Sequence, residues 1–153
     1  MDTEHTDLDI ITRRLTANDC QRLVTIDQRI TGRSRKQWYE GKLKRALQDS
    51  DVEISLGAEC DGMLVGAMFG SLHYGEFGQP EPHAVLDTVL VDPDMSGQGI
   101  ASTLFEQLTK NLVALRIERL RTEVAWDDHG LVAFFAHKGF TPAPRLVLET
   151  ELG

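Results

Sequence analysis

Cysteine is scarce in this sequence. Its 153 residues contain two cysteines, Cys20 and Cys60, which stand far apart along the chain. They lack the C-x-x-C spacing of a redox or zinc site, and they are too few to form a disulfide scaffold. We therefore expect both to pack as small apolar side chains, and we predict no metal site.

Long apolar runs and a basic amino terminus are also missing. The longest nearly apolar run covers residues 63–70, which is far too short to cross a bilayer. Residues 1–9 are acidic and polar, unlike the basic start and apolar stretch of a signal peptide. We expect this segment to be disordered or loosely packed. The default expectation is a cytoplasmic protein with no membrane partner.

Basic residues are outnumbered by acidic ones, with 16 Lys and Arg against 24 Asp and Glu, so the formal net charge is −8. A nucleic-acid-binding face normally produces a basic excess, and the charge therefore argues against nucleic acid as the partner. One basic cluster comprises Arg29, Arg33, Arg35 and Lys36. It could attract an acidic substrate or cofactor phosphates, or it could consist of solvated helix ends.

The composition is that of an ordinary globular chain, 41% hydrophobic and 26% charged, and the length suits one domain spanning residues 1–153. Apolar periodicity and turn residues predict the order β-α-α-β-β-β-α-β-α-β, a mixed α/β sheet covered by helices. The Asp61-Gly62 pair predicts a tight hairpin. The predicted strands include 10–15, 63–72, 85–91, 119–126 and a last strand or bent pair of strands within 140–152.

Residues 86–105 read as a buried strand, a turn and a glycine-rich entry into an amphipathic helix. This arrangement presents unpaired backbone N–H groups to an anion. A phosphate-binding P-loop is excluded because no Lys followed by Ser or Thr comes after the second glycine. A dinucleotide fingerprint is incomplete because Ser102 stands in place of the third glycine. The alternative is that these glycines only form a tight turn and bind no ligand.

Two motifs in the sequence resemble those of the GNAT superfamily of N-acetyltransferases, in its single-domain bacterial form. The segments 89–93 and 96–101 are similar to the acyl-CoA-binding motif Q/R-x-x-G-x-G/A that follows a strand ending in V-x-P. Gly99 and Ala101 match its last two defined positions, and Ser96 replaces the Gln or Arg. Residues 127–140 are similar to the family's N-x-x-A-x-x-x-Y-x-x-x-G-F signature and end in an intact Gly139-Phe140.

The resemblance implies a mostly antiparallel GNAT sheet of six to seven strands with about four helices, and acetyl-CoA as the cofactor. Backbone amides of residues 97–102 would bind the pyrophosphate, and the strand edge at 89–91 would pair with the pantetheine arm. The residues expected to hold the cofactor are Val89, Leu90, Val91, Ser96, Gly97, Gln98, Gly99, Ile100, Ala101, Ser102, Asp128 and Phe135.

The implied reaction is direct transfer of the acetyl group to an amine, for which a base is needed. Glu123 is one candidate, because residues 120–124 resemble the L-x-x-E-V strand of the ribosomal-protein alanine acetyltransferase branch. Alternatively, Glu123 lies on the exposed face of an alternating strand and has no catalytic role. Asp87 is the second candidate, because a carboxylate inside an apolar strand is costly unless it is paired or functional. His73 and His83 could relay protons or be surface or core residues.

Two departures from the family pattern limit this assignment. Phe135 stands where the family has the tyrosine that protonates the thiolate, and Asp128 stands where it has asparagine. Because Phe135 has no proton to give and Ser96 replaces the Gln or Arg of the motif, a catalytically silent acyl-CoA-binding sensor is the alternative function. The acceptor would be a small-molecule amine or a protein amino group, selected by loops 30–35 and 74–83, and the acidic charge favours a cationic one. An exposed carboxy-terminal strand could pair across a homodimer.

Overall fold

The structure is a computed structural model that describes residues 9–48 and 54–153. The chain up to Thr122 and the chain from Glu123 onwards form two compact units, which we describe separately. Residues 1–8, most of the segment expected to be disordered, lie outside the described residues. The single domain over residues 1–153 stays a prediction.

The first unit contains a five-stranded sheet in the order β1-β2-β3-β4-β5. Neighbouring strands are antiparallel except β4 and β5, which are parallel. This mixed, mostly antiparallel sheet confirms the predicted fold class, although the described chain has five strands and not six or seven. The strands are β1 Ile10–Arg14, β2 Leu56–Cys60, β3 Met63–His73, β4 His83–Val91 and β5 Leu120–Thr122.

The β2–β3 connection is the tight hairpin that the sequence predicts. Asp61 and Gly62 both have positive φ angles, 53° and 79°, as a two-residue type I′ turn requires. The predicted irregular connection between β3 and β4 is also present, and it contains a short 3-10 turn at Glu76–Gly78. Cys20 and Cys60 are both free and partly buried.

Within its described residues the first unit has three helices: α1 Cys20–Thr31, α2 Lys36–Gln48 and α3 Ile100–Ala114. Helix α1 ends at Gly32, whose φ of 82° suits glycine and whose amide donates to Gln28 O. Helices α1 and α2 share one core with β3 and β4. Its main members are Leu23, Val24, Ile26, Tyr39, Leu43, Leu64, Ala67, Phe69 and Leu90.

Helix α3 packs closely on β3 at Gly66. A Cβ placed there would lie 2.7 Å from Ile100 Cγ2 and 3.0 Å from the carbonyl oxygen of Leu90. Gly66 and the core residue Ala67 are consecutive, so their substituents point to opposite faces of the sheet. Helix α3 therefore covers the face opposite α1 and α2, and Gly66 provides the close approach that seats its first turn.

The second unit contains helix α4, His129–His137. The Asp128 carboxylate accepts a hydrogen bond from the Leu131 amide and caps the helix, as its place before the apolar run predicts. After α4 the amide of Phe140 bonds to Phe135 O, and Gly139 has a φ of 91°. This is the usual glycine-assisted helix ending.

The predicted last strand within 140–152 is wrong. Residues 141–153 contain no strand in the structure. Pro142 and Pro144 have no backbone N–H to donate to a ladder, and Leu146 and Leu148 are 84% and 85% exposed. The predicted strand 119–126 is also too long. It stops at Thr122, and beyond this point Glu123, Ala125 and Trp126 are exposed.

None of the described helices combines the length and apolarity that crossing a bilayer requires.

Candidate active site

The glycine turn joins β4 to α3 through a short 3-10 turn at Pro93–Met95. Gly97 and Gly99 both have a φ of 79°, and a Cβ at either position would meet no atom within 4 Å. Glycine is therefore needed here for its backbone conformation and not for lack of space. The open surroundings leave the turn accessible to a ligand.

The start of α3 leaves several amides without an acceptor. The amides of Met95, Ser96 and Gln98 are used within the turn, bonding to Asp92 O, Pro93 O and Met95 O. Within the described chain, no acceptor is bonded to the amides of Gly97, Gly99, Ile100, Ala101 and Ser102. No side chain caps the helix at Gly99. Such a group of free amides at the positive end of a helix is suited to bind a phosphate.

Asp92 fixes the entry to this turn. Its carboxylate accepts from Arg22 at 2.9 Å, from Arg29 at 2.8 Å and from the Asp94 amide at 2.9 Å. Burial opposes ionisation of Asp92, but the Asp94 amide and the two guanidinium groups outweigh it, and its pKa is lowered. Arg22 also donates to Leu64 O at 2.8 and 3.0 Å. The turn is thereby tied to both α1 and β3.

The part of β4 that leads into the turn is paired on one side. Val89, Leu90 and Val91 pair with β3, whereas the register with β5 covers only Ala84, Val85 and Leu86. Among the described strands, nothing pairs with residues 89–91 on the β5 side. This stretch therefore has an edge that an extended ligand could occupy as an added strand would.

Asp87 lies at an irregularity in β4. Leu86 pairs with Gly70 and Thr88 pairs with Phe69, so Asp87 is one extra residue on its strand. Such bulges redirect side chains and are frequent beside active sites. The Asp87 carboxylate accepts from Thr88 Oγ1 at 2.6 Å and lies 2.7 Å from Lys42 Nζ. Its side chain remains 41% exposed, so it is paired and accessible at once.

Lys42 reaches Asp87 from helix α2. Its side chain is only 13% exposed, and its ammonium lies 5.2 Å from the Trp38 ring centroid and 5.4 Å from that of Phe69. These rings favour the cation electrostatically. Asp87 and Lys42 therefore form an ion pair beside the rings of Trp38 and Phe69.

This pair borders a cleft of about 310 Å³. A volume of this order suits a small molecule. The cleft lies between α2 and the β3–β4 pair, and it is lined by Lys42, Arg45, Ala46, Ser55, Phe69, Gly70, Ser71 and Asp87. Within the described ranges, no cluster of three or more His, Cys, Asp or Glu side chains is placed to hold a metal ion.

Ser71, His73 and Glu76 form a hydrogen-bonded series at the end of β3. Ser71 Oγ lies 2.9 Å from His73 Nε2, and His73 Nδ1 lies 2.7 Å from Glu76 Oε1. The sequence interpretation named His73 but missed Ser71, Glu76 and Lys42. The i, i+2 spacing on one strand could have placed Ser71 beside His73. Lys42 lies on a different element and gives no such local signal.

The basic cluster of the sequence is partly committed to structural pairs. Arg29 bonds to Asp92 and Asp94, and Arg35 forms two hydrogen bonds with Asp27, at 2.8 and 2.6 Å. These two residues therefore stabilise the fold through ion pairs, which neither interpretation of the sequence had predicted.

The remaining sequence-predicted site residues belong to the second unit. Glu123 is exposed and follows β5, while Asp128 caps α4. Phe135 is 5% exposed and packs edge-on against Phe134 and Phe140. The structure thus brings Asp87 and the turn residues onto one strand–turn–helix segment, and Asp128 and Phe135 onto helix α4.

A sequence model of the acetyltransferase (GNAT) family matches residues 20–140. The chain belongs to the GNAT family. The matched span contains the glycine turn, the cleft and helix α4, so both motifs singled out in the sequence fall inside it. Among the curated proteins, no relative matches this GNAT chain.

Solved structures share the same fold. A transcriptional regulator from Bacillus halodurans C-125 has a TM-score of 0.77 at 18% identity, over 94% of this chain and all of its own. An aminoglycoside N-acetyltransferase in complex with CoA has a TM-score of 0.77 at 13% identity, over 94% and 95%. A ribosomal-protein-alanine N-acetyltransferase from Brucella melitensis biovar Abortus 2308 has a TM-score of 0.72 at 20% identity, over 95% and 99%. At these identities the likeness establishes the GNAT fold.

Proposed function

We propose that this protein is an N-acetyltransferase that transfers an acetyl group from acetyl-CoA to a primary amine by direct attack. The observation that carries the proposal is the open glycine turn with five unpaired amides, located where β4 passes into α3. A pyrophosphate fits such a group of donors. Membership of the GNAT family and the structure of a relative in complex with CoA support the same cofactor.

The cofactor would lie along β4 and across the turn. The amides of residues 97–102 would hold the pyrophosphate, and the backbone at 89–91 would pair with the pantetheine arm. Ser96 is shorter than the Gln or Arg of the family motif, so the backbone must supply most of the phosphate contacts. Asp128 and Phe135 are proposed as further contacts on the strength of the family motif.

Bound acetyl-CoA would supply an activated thioester next to the cleft. An attacking amine must be neutral, so the protein has to bind it and accept a proton from it. Asp87 is the better supported carboxylate for this task, because it is accessible, lies on the bulge of β4 and borders the cleft. Glu123 remains the second candidate and is supported by the resemblance to the L-x-x-E-V strand.

The size of the cleft supports a small-molecule amine as the acceptor. Aminoglycoside N-acetyltransferases and a ribosomal-protein-alanine N-acetyltransferase share the fold, so an amino sugar and a protein amino terminus are both acceptors to test. We also propose a cytoplasmic location, which would keep the free thiols of Cys20 and Cys60 reduced. The homodimer stays a prediction for sedimentation analysis to test.

The decisive experiment compares two glycine variants. Gly99→Glu places a carboxylate and a Cβ into the proposed pyrophosphate site, and Gly62→Glu makes the same change in the β2–β3 hairpin. Both glycines have a φ of 79° and open surroundings, so the strain is matched. We expect only Gly99→Glu to abolish CoA binding in calorimetry and amine-dependent thiol release. Unchanged CoA binding in Gly99→Glu would remove the assigned site.

The second candidate function is a catalytically silent acyl-CoA-binding sensor. It is favoured by Phe135, which has no proton to give to a departing thiolate, and by Ser96. A sensor would bind CoA without releasing thiol in the presence of any amine tested. Thiol release that depends on an amine and is lost in Gly99→Glu would eliminate this candidate.

A further inference from the structure

The hydrogen-bonded series Ser71–His73–Glu76 connects the cleft with the surface. Ser71 lines the cleft, His73 is 29% exposed, and Glu76 is 48% exposed. The two bonds, at 2.9 and 2.7 Å, are short and join all three side chains without an intervening gap.

The geometry fixes the direction in which protons can move. A carboxylate only accepts hydrogen bonds, so Glu76 requires a proton on His73 Nδ1. In a neutral imidazole the other nitrogen, Nε2, then carries the lone pair, and the Ser71 hydroxyl must donate to it. The oxygen of Ser71 is left with its own lone pairs, which can accept a proton from a group in the cleft.

The surroundings hold the imidazole in this orientation. His73 stacks on His83 of β4 with 5.4 Å between ring centroids and 17° between planes. Ser71 and His73 share one face of β3 because they are two residues apart. On the neighbouring strand Ser71 pairs with Val85, two positions before Asp87. The charged and titratable groups around the series include Glu76 on the connection and His83 on β4, and those that border the cleft are Lys42, Arg45 and Asp87.

We propose that Ser71, His73 and Glu76 form a proton relay that deprotonates the acceptor amine in the cleft. This inference rests on the proposed acetyl transfer. As the amine nitrogen forms its bond to the thioester carbon, its proton passes to Ser71 Oγ while the Ser71 proton passes to His73 Nε2. The C–S bond breaks and the thiolate leaves with the electron pair. His73 becomes an imidazolium that Glu76 stabilises, and it later releases the proton to solvent.

The roles of the three residues differ in this scheme. Ser71 contacts the amine and is the catalytic residue. His73 acts through Ser71, and Glu76 fixes the tautomer of His73, so both are positioning residues. Asp87, which would be the base in a mechanism without the relay, here attracts the amine into the cleft by charge, while the proton leaves through the relay. The division explains why an accessible carboxylate and a serine–histidine series border the same cleft.

The test uses acetyl-CoA with a panel of monoamines, an amino sugar and a peptide with an amino-terminal alanine. We expect Ser71→Ala and His73→Gln to lower kcat/KM for the amine about 100-fold, within the range of general base catalysis. Glu76→Gln should have a smaller effect. The matched control is His137→Gln, since His137 also bonds through Nδ1, to Ala133 O, on helix α4 of the second unit. CoA affinity should be the same in all four variants.

The pH profile distinguishes a proton relay from hydrogen bonds that only stabilise the structure. In the wild type, kcat/KM should rise with pH as an imidazole loses its proton, and this limb should vanish in His73→Gln but persist in His137→Gln. If the variants at 71 and 73 keep the profile and the rate of the control, the relay is wrong and the acetyl transfer stands. If the wild type releases no thiol with any amine, the proposed transfer itself fails.

A measurement that needs no acceptor gives an independent outcome. Nitrogen-15 NMR of the imidazoles, assigned with His73→Gln, should show neutral His73 protonated at Nδ1 and unprotonated at Nε2. Glu76→Gln should weaken this preference. A proton on Nε2 of neutral His73 would overturn the relay even if the enzyme is active.

Discussion

Arg22 of helix α1 and Asp92 at the end of β4 are bonded across 70 residues of sequence, with 2.9 Å between Nη2 and Oδ2. Asp92 is buried and stands five residues before Gly97. The residues of the glycine turn are mostly exposed. The turn is therefore anchored through Asp92 to the Arg22 guanidinium, which also donates to the β3 backbone at Leu64 O.

This relationship predicts the effect of Arg22→Met. The variant leaves the Leu64 carbonyl and one oxygen of Asp92 without their donor, and we expect a loss of about 2 kcal/mol in the free energy of unfolding. CoA affinity should fall as well, because the turn loses its support. Urea denaturation and calorimetry measure the two effects. Arg29→Gln is the control, and its more exposed side chain should give a smaller loss of stability. Equal stability of wild type and Arg22→Met would contradict the anchoring role.

Acid should destabilise the protein through the three buried carboxylates Asp19, Asp27 and Asp92, whose pKa values are all lowered. The Arg35 guanidinium lowers the pKa of Asp27, and the pKa of Asp92 is lowered by the contacts described above. A carboxylate whose pKa is lower in the folded protein contributes its full stabilisation at pH values above its pKa in the unfolded chain, about 3.9. That contribution is lost as the pH falls through the folded pKa. Urea midpoints should therefore decline from about pH 4 downwards. The decline should be shallower in Asp27→Asn, which is less stable at pH 7, and an identical slope would refute this origin.

Gly66→Ala should disturb the seat of helix α3. The added methyl would lie 2.7 Å from Ile100 Cγ2 and 3.0 Å from a backbone oxygen, which cannot rotate away. We expect a destabilisation of about 1–3 kcal/mol, typical of overpacking, and weaker CoA binding because Ile100 begins the helix. The matched control is Gly41→Ala inside α2, where the nearest atom is 3.5 Å away. That change should stabilise the protein by about 0.5–1 kcal/mol.

The two carboxylates proposed for the amine can be ranked by substitution. Asp87→Asn keeps the shape of the side chain but removes its charge, and we expect kcat/KM for the amine to fall about tenfold or more, the value of one charge-assisted hydrogen bond. The loss should exceed that of Glu123→Gln. Steady-state thiol release with acetyl-CoA measures both variants. A larger loss in Glu123→Gln would transfer the role to Glu123.

Features encoded by neighbouring residues could be predicted from the sequence. The Asp61-Gly62 hairpin, the glycine turn before α3 and the Asp128 cap of α4 each depend on local φ angles or on a side chain bonding to an amide three residues away. The apolar face of α3 follows from its periodicity. The same reasoning failed at the carboxy terminus, because alternating apolar residues such as Leu146 and Leu148 form a strand only when a partner strand is present.

The order of elements up to α4, the family resemblance and the glycine turn before α3 could all be read from the sequence. The arrangement of charge around the cleft, in contrast, follows from the packing of separate elements. Lys42 and Asp87 come from different elements, and Arg22 of α1 bonds to Asp92 at the end of β4. The Ser71–His73–Glu76 series requires a strand and the turn after it to bring three side chains into hydrogen-bonding distance. Such contacts depend on packing between elements, for which a sequence pattern carries no direct signal.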